Sequence, residues 1–182
     1  GTSVTFHPDP EIFKNNKYKA EQVYRIACSK AYLFKGVVIN WSCDKGMLAD
    51  DSEIPQEAKI HFPNGLEDFL HSIVPTEQLL SPTTFSGEVN FPDKQGKVEW
   101  AINWLNHGDN ISRSYCNTIY TPDGGTHEAG MRGALTKGLR SYAEIIGNKK
   151  VAQITADDVL DYSVTLLSVF IKNPTFQGQT KD

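Results

Sequence analysis

Residues 164 to 171 read Val-Thr-Leu-Leu-Ser-Val-Phe-Ile, a nearly continuous apolar run that ends at Asn173-Pro174. A strand with one wet face alternates apolar and polar residues. A run of this length without alternation predicts a strand in the middle of a sheet. That constrains the whole chain, because other segments must supply flanking strands and covering helices. With 182 residues the chain is long enough for one domain with a sizeable core but too short for two.

The partners are readable in part. Phe85, Gly87, Val89 and Phe91 face Val98, Trp100, Ile102 and Trp104 across Pro92-Asp93-Lys94-Gln95-Gly96, which predicts a hairpin. A further strand is expected over Ile111 to Ile119 after the turn His107-Gly108-Asp109-Asn110, as an antiparallel neighbour of that hairpin. Earlier strands are expected over Thr2 to Phe6, Val37 to Trp41 and Lys59 to Phe62. Helical spacing marks Ala20 to Phe34, with Gly36 placed to end it. Leu66, Phe69, Leu70 and Ile73 form a second stripe, closed by Pro75.

The longest helix is expected from Thr126 to about Ile146, with Met131, Ala134, Leu135, Leu139, Tyr142 and Ile146 on one arc and Gly147 at its end. Thr126 or Asp123 would cap it. Thr155-x-x-Asp158 opens a short last helix. The order is roughly βαββαβββααβ, an α+β sandwich of one sheet backed by helices.

Composition excludes several classes. The formal net charge of -4 argues against a domain whose main task is gripping a phosphate backbone. There is no apolar run long enough to span a membrane and no basic and apolar leader, so a cytoplasmic location is expected. Cys28, Cys43 and Cys116 lie far apart and read as reduced thiols, without a zinc pattern. No nucleophile, base and orienting acid fall into a catalytic pattern, so no catalytic residue is assigned.

Three constellations could carry chemistry. In the tail Phe176-Gln177-Gly178-Gln179-Thr180-Lys181, an amide and an ammonium follow the central strand and suit a phosphate, or else form a solvated tail. Gly124-Gly125-Thr126-His127 precedes the long helix, where backbone N–H groups either meet an anion or simply make a tight turn. Arg132, Lys137 and Arg140 lie beside or opposite the apolar arc, either as a solvated face or as phosphate contacts.

The opening Gly1-Thr2-Ser3-Val4-Thr5-Phe6-His7-Pro8-Asp9, the motif Asp123-Gly124-Gly125-Thr126-His127-Glu128-x-Gly130 and the closing Gln179-Thr180-Lys181, taken together and in this order, resemble the B subunits of bacterial type IIA DNA topoisomerases. Tyr115-Cys116-Asn117-Thr118 and Gly147-Asn148-Lys149-Lys150 are more similar to topoisomerase IV than to gyrase. The resemblance implies a ribosomal-protein-S5-domain-2-like transducer domain over 19–182. Residues 1–18 would be the end of an upstream GHKL ATPase domain and its linker. It implies that Gln179 and Lys181 reach ATP, held with Mg2+ mainly by the upstream domain, and that Arg132, Lys137 and Arg140 face DNA or couple to it.

Implied partners are DNA, the A-type cleavage subunit and a second copy of the B-type chain. The family's own nucleotide-site motifs are not in this sequence, so the chain alone is expected to be inactive. Alternatives are gyrase B, the matching domain of a mismatch-repair or chaperone ATPase, and a free-standing S5-like nucleic-acid-binding module.

Overall fold

The computed structural model describes residues 1–14, 18–148 and 153–176. In chain order the elements are α1 (Ala20–Leu33), β1 (Val38–Ser42), β2 (Glu57–His61), α2 (Leu66–Ile73), β3 (Phe85–Asn90), β4 (Gly96–Trp104), β5 (Ile111–Cys116), β6 (Ile119–Tyr120), α3 (Thr126–Ile145), α4 (Ala156–Leu160) and β7 (Ser163–Ile171). β1 and β2 make an antiparallel pair of their own, and the other strands form one sheet in the order β3-β4-β7-β5-β6.

The apolar run is the middle strand of this mixed sheet. β7 pairs antiparallel with β4 from Gly96↔Ile171 to Trp104↔Ser163 and parallel with β5 from Ile111↔Val164 to Cys116↔Val169. Residues Ser163 to Val169 are all buried, because both faces of the strand are covered. On one face Val164 and Leu166 join Ala101, Leu105 and Tyr115 under Leu33 of α1 and Leu66, Phe69 and Leu70 of α2. Tyr32 stacks on Phe69 with centroids 3.7 Å apart. On the other face Ile102 meets Leu135 of α3 and Val159 of α4. Each fully buried Leu here contributes on the order of 2–5 kcal/mol against truncation to Ala.

Several expectations need correction. β5 is not a neighbour of the β3–β4 hairpin, since β7 lies between them and pairs with β5 in parallel. The apolar run wins the central place because it alone can be buried on both faces. The strand expected over Ile111 to Ile119 breaks into β5 and β6 at Asn117 and Thr118, whose φ values of 48° and 69° turn the chain back. Thr2 to Phe6 forms no strand among the described residues, and Val4 and Phe6 are exposed. Its β-propensity has no ladder to join there.

Helix ends differ too. Gly125 is the N-cap of α3, with no side-chain cap, and Thr126 is already helical. The C-cap of α1 is Phe34, so Gly36, at φ +83°, sits one position beyond the expected one. By contrast, Thr155 and Asp158 form the capping box of α4 as expected. The apolar arc of α3 is only half used: Leu135 is buried, whereas Tyr142 and Ile146 are exposed.

Candidate functional site

Three places on this framework hold the residues singled out above, and the first is the exit of β7. Here Gly96 lies against Phe170, where a Cβ would stand only 1.9 Å from the Phe170 carbonyl oxygen. Lys97 places its ammonium 5.1 Å from the centre of the Phe170 ring and pairs with the carboxylate of Glu99. Glu99 is 2% exposed, and its second oxygen, Oε2, has no hydrogen-bond partner among the described residues. Its cross-strand neighbour Ser168 is equally buried, with an unpartnered hydroxyl. Phe34, at the end of α1, packs on Phe170 at 5.7 Å. Lys97 thus ties the buried Glu99 and the Phe170 ring together at this corner, and its ion pair offsets part of the cost of burying the carboxylate. Gln179 and Lys181 follow in sequence but lie outside the described residues.

The second place is the turn into α3. Gly124 has φ +72°, and a Cβ there would lie 2.9 Å from the Glu128 carboxylate. The left-handed backbone explains the glycine, since the Glu128 side chain could swing aside. The turn is tied by polar side chains. Thr121 Oγ1 donates to the Ser114 carbonyl at 3.0 Å and lies 3.2 Å from His127 Nε2, while Ser114 Oγ, itself buried, donates to Glu128 Oε1. Burial pushes the His127 imidazole below its ordinary value, opposed by the neighbouring Glu128 carboxylate. His127 and Glu128 therefore serve the turn, and Glu128 fills the space around Gly124 that an incoming anion would need. Nearby, burial raises the Tyr32 and Tyr115 hydroxyls, which lie 3.4 Å apart.

The third place is the outer face of α3. Arg132, Lys137 and Arg140 line one shallow groove with Thr136 and Ala156. Arg132 is ion-paired with Asp157 of α4, and Arg140 donates to the Ile154 carbonyl, with Nε at 2.9 Å. Two of the three cations thus fasten α3 to the segment around α4. All three remain exposed. Exposed pairs of this kind contribute little to stability.

Between α3 and the sheet lies an apolar cleft of about 1330 Å³, lined by Trp100, Trp104, Leu167, Met131 and Leu139 and bordered by Phe176. Among the described residues no cluster of His, Cys, Asp or Glu could hold a metal ion, and no helix is long and apolar enough to cross a membrane. The three cysteines are free thiols. The sequence reading did not single out Lys97, Glu99 or Ser114, and named Asn117 only within the motif Tyr115-Cys116-Asn117-Thr118, without a role. A signal existed for Glu99, a charge between the apolar Val98 and Trp100 of its strand. For the contact that Asn117 makes there was none.

Comparison with known proteins adds a consistent set of likenesses. The family described as DNA gyrase B matches residues 65–182. The B subunit of DNA topoisomerase 4 from Bartonella bacilliformis is 51% identical over the whole chain, which spans 26% of that protein. The B subunit of DNA gyrase from Streptomyces coelicolor is 30% identical, again over the whole chain and 28% of its own length. Among solved structures, the 43K ATPase domain of Thermus thermophilus gyrase B, in complex with an aminocoumarin, matches 93% of the chain with a TM-score of 0.75 and 27% identity, and the chain covers 44% of it. The chain thus spans about a quarter of the length of the curated relatives it matches.

Proposed function

The chain belongs to the DNA gyrase B family, and from that membership we propose that it is the transducer region of a topoisomerase IV B-type subunit, carrying the nucleotide state of an upstream ATPase domain to DNA strand passage. The identity is higher to the topoisomerase 4 relative than to the gyrase relative, which supports the topoisomerase IV assignment. Residues 19–182 are the transducer, and residues 1–18 belong to the end of the ATPase domain and its linker. The A-type cleavage subunit, DNA and a second B-type chain are its partners.

One observation carries the reading: the segment bearing Gln179 and Lys181 follows in sequence from the central strand of the sheet. A loop that must report a distant contact needs a rigid base, because a compliant one would absorb the displacement. An ammonium at Lys181 and an amide at Gln179 complement the charge of a γ-phosphate, the ammonium as a compact point charge and the amide as a donor. In this reading Mg2+ and most of the nucleotide contacts fall to the upstream domain, as the resemblance implies. Retention of the loop in one nucleotide state and its release in the other would bias a two-state domain arrangement.

The outer face of α3 is the DNA-facing surface in this reading. Arg132 and Arg140 are braced and Lys137 stands out beside them. A chain of net charge -4 needs such a local patch rather than a general basic surface.

The test is DNA-stimulated ATP turnover of the full-length subunit assembled with its A-type partner. Lys181→Ala should lower turnover roughly a hundredfold or more, the scale of a charge removed from a transferring phosphate. Turnover within about twofold of the parent would overturn the assignment of Lys181.

A further inference from the structure

We infer that Asn117 is a positioning residue for the nucleotide-contacting loop, the side chain that fixes where residues 172 onward leave the sheet. The inference rests on the proposed role of Lys181.

The parallel ladder between β5 and β7 ends at Cys116↔Val169. Beyond it the main chain of β5 turns away into β6, so Ile171 loses its backbone partner on that side. Asn117 replaces it. Its backbone N–H donates to the Val169 carbonyl at 2.8 Å. Its side-chain Nδ2 donates to the Ile171 carbonyl at 2.9 Å, and its Oδ1 accepts from the Ile171 N–H at 2.9 Å. One amide side chain thus meets both main-chain groups of the last residue of β7, as a strand residue would. An amide is suited to this, because it carries a donor and an acceptor side by side.

The turn that presents Asn117 is held in a conformation that side-chain-bearing residues seldom adopt. Asn117 has φ 48° and Thr118 has φ 69°. Asn tolerates the left-handed region, but a β-branched Thr does not do so readily. The strain is held from outside, by Lys30 of α1, whose ammonium donates to Thr118 Oγ1 at 2.7 Å and to the Thr118 carbonyl at 3.3 Å. Strained backbone persists where surrounding contacts over-determine it.

On the opposite edge, Lys172 N–H lies 3.4 Å from the Gln95 carbonyl, and the Gly96 backbone abuts Phe170. The end of β7 is therefore gripped from both neighbouring strands, and from α1 through Lys30 and Phe34. Asn117 supplies the β5 side of that grip. It lies 54 positions from Ile171 in sequence and only one contact from it in space.

Full-length subunits with the A-type partner would carry Asn117→Gly, Lys181→Ala or both. Glycine is the informative replacement, because it accepts φ 48° without strain and removes only the amide. Expected is a fall in kcat/KM for ATP of roughly tenfold with Asn117→Gly, the scale of losing both side-chain hydrogen bonds to Ile171 at the modest net value of each. In the Lys181→Ala background the same change should have almost no further effect, since both act through one contact. A purely structural role would instead multiply the two losses. Unchanged kcat/KM with Asn117→Gly, or multiplied losses, overturns the role of Asn117 while leaving Lys181 in place. A silent Lys181→Ala overturns both. If Asn117→Gly melts below the assay temperature, Asn117→Asp, which keeps the acceptor for the Ile171 N–H but not the donor, decides by the same criteria.

Discussion

Gly96→Ala should be among the most damaging single-methyl additions available to this chain. The added Cβ would stand 1.9 Å from the Phe170 carbonyl oxygen, and the nearest tolerable approach is 3.0 Å, so β4 and β7 must part by at least 3.0 − 1.9 = 1.1 Å. The obstacle is backbone, which cannot rotate aside as a side chain can. The φ of +155° also disfavours any residue with a Cβ.

Parting the strands here strains the β4–β7 ladder at Lys97↔Phe170 and the bond from Lys172 N–H to the Gln95 carbonyl. Two weakened hydrogen bonds at about 1 kcal/mol each and a backbone penalty of about 1–2 kcal/mol give a destabilisation of about 3–4 kcal/mol. Urea unfolding followed by tryptophan fluorescence reads this directly, because Trp100 and Trp104 lie on the same strand. With a slope of about 2 kcal/mol/M, the midpoint should fall by roughly 1.5–2 M. A fall of less than roughly 0.5 M would show that β4 and β7 part without cost, and the account of a rigid base for the terminal loop would fail with it.

The other expectations concern charge. Lys137→Ala should weaken DNA binding by the full-length subunit similarly for all sequences and reduce the slope of log affinity against log salt by about 1; an unchanged slope would remove Lys137 from the DNA-facing surface. For His127, burial lowers the folded-state pKa, so the unfolded chain binds the extra proton first on acidification. The stabilisation is present above about pH 6.5 and is lost as pH falls through the depressed folded value. His127→Asn should flatten the dependence of stability on pH in that window, and a slope identical to the parent's would mean that another group titrates there.

Much of the fold is legible along the chain because its signals are local. Leu66, Phe69, Leu70 and Ile73 recur at helical spacing, and α2 spans those same limits. Thr155 and Asp158 are near enough to cap each other without help from the rest of the molecule. Gly124 announces a tight turn, and it has the left-handed φ that only glycine adopts freely. The capping of α3 was not legible: Glu128, three residues after Gly125, is drawn to Ser114 of β5, a partner no local rule supplies.

The candidate site divides the same way. Gln179 and Lys181 stand out only through their resemblance to a known loop, since a terminal Lys by itself is commonplace. Lys97 and Glu99 are near neighbours, but their pairing acquires meaning only when Phe170 and Ser168 of β7 are laid beside them.

What the sequence determined by itself is the type of each main element and the central place of Val164 to Ile171, because periodicity and unbroken apolarity are properties of neighbouring residues. What only the tertiary structure decided is which strands flank it, in which direction, and that Asn117 would meet Ile171. Pairing order is a competition among buried faces that the chain can bring together from almost any separation, since the entropy of closing a loop grows only with the logarithm of its length.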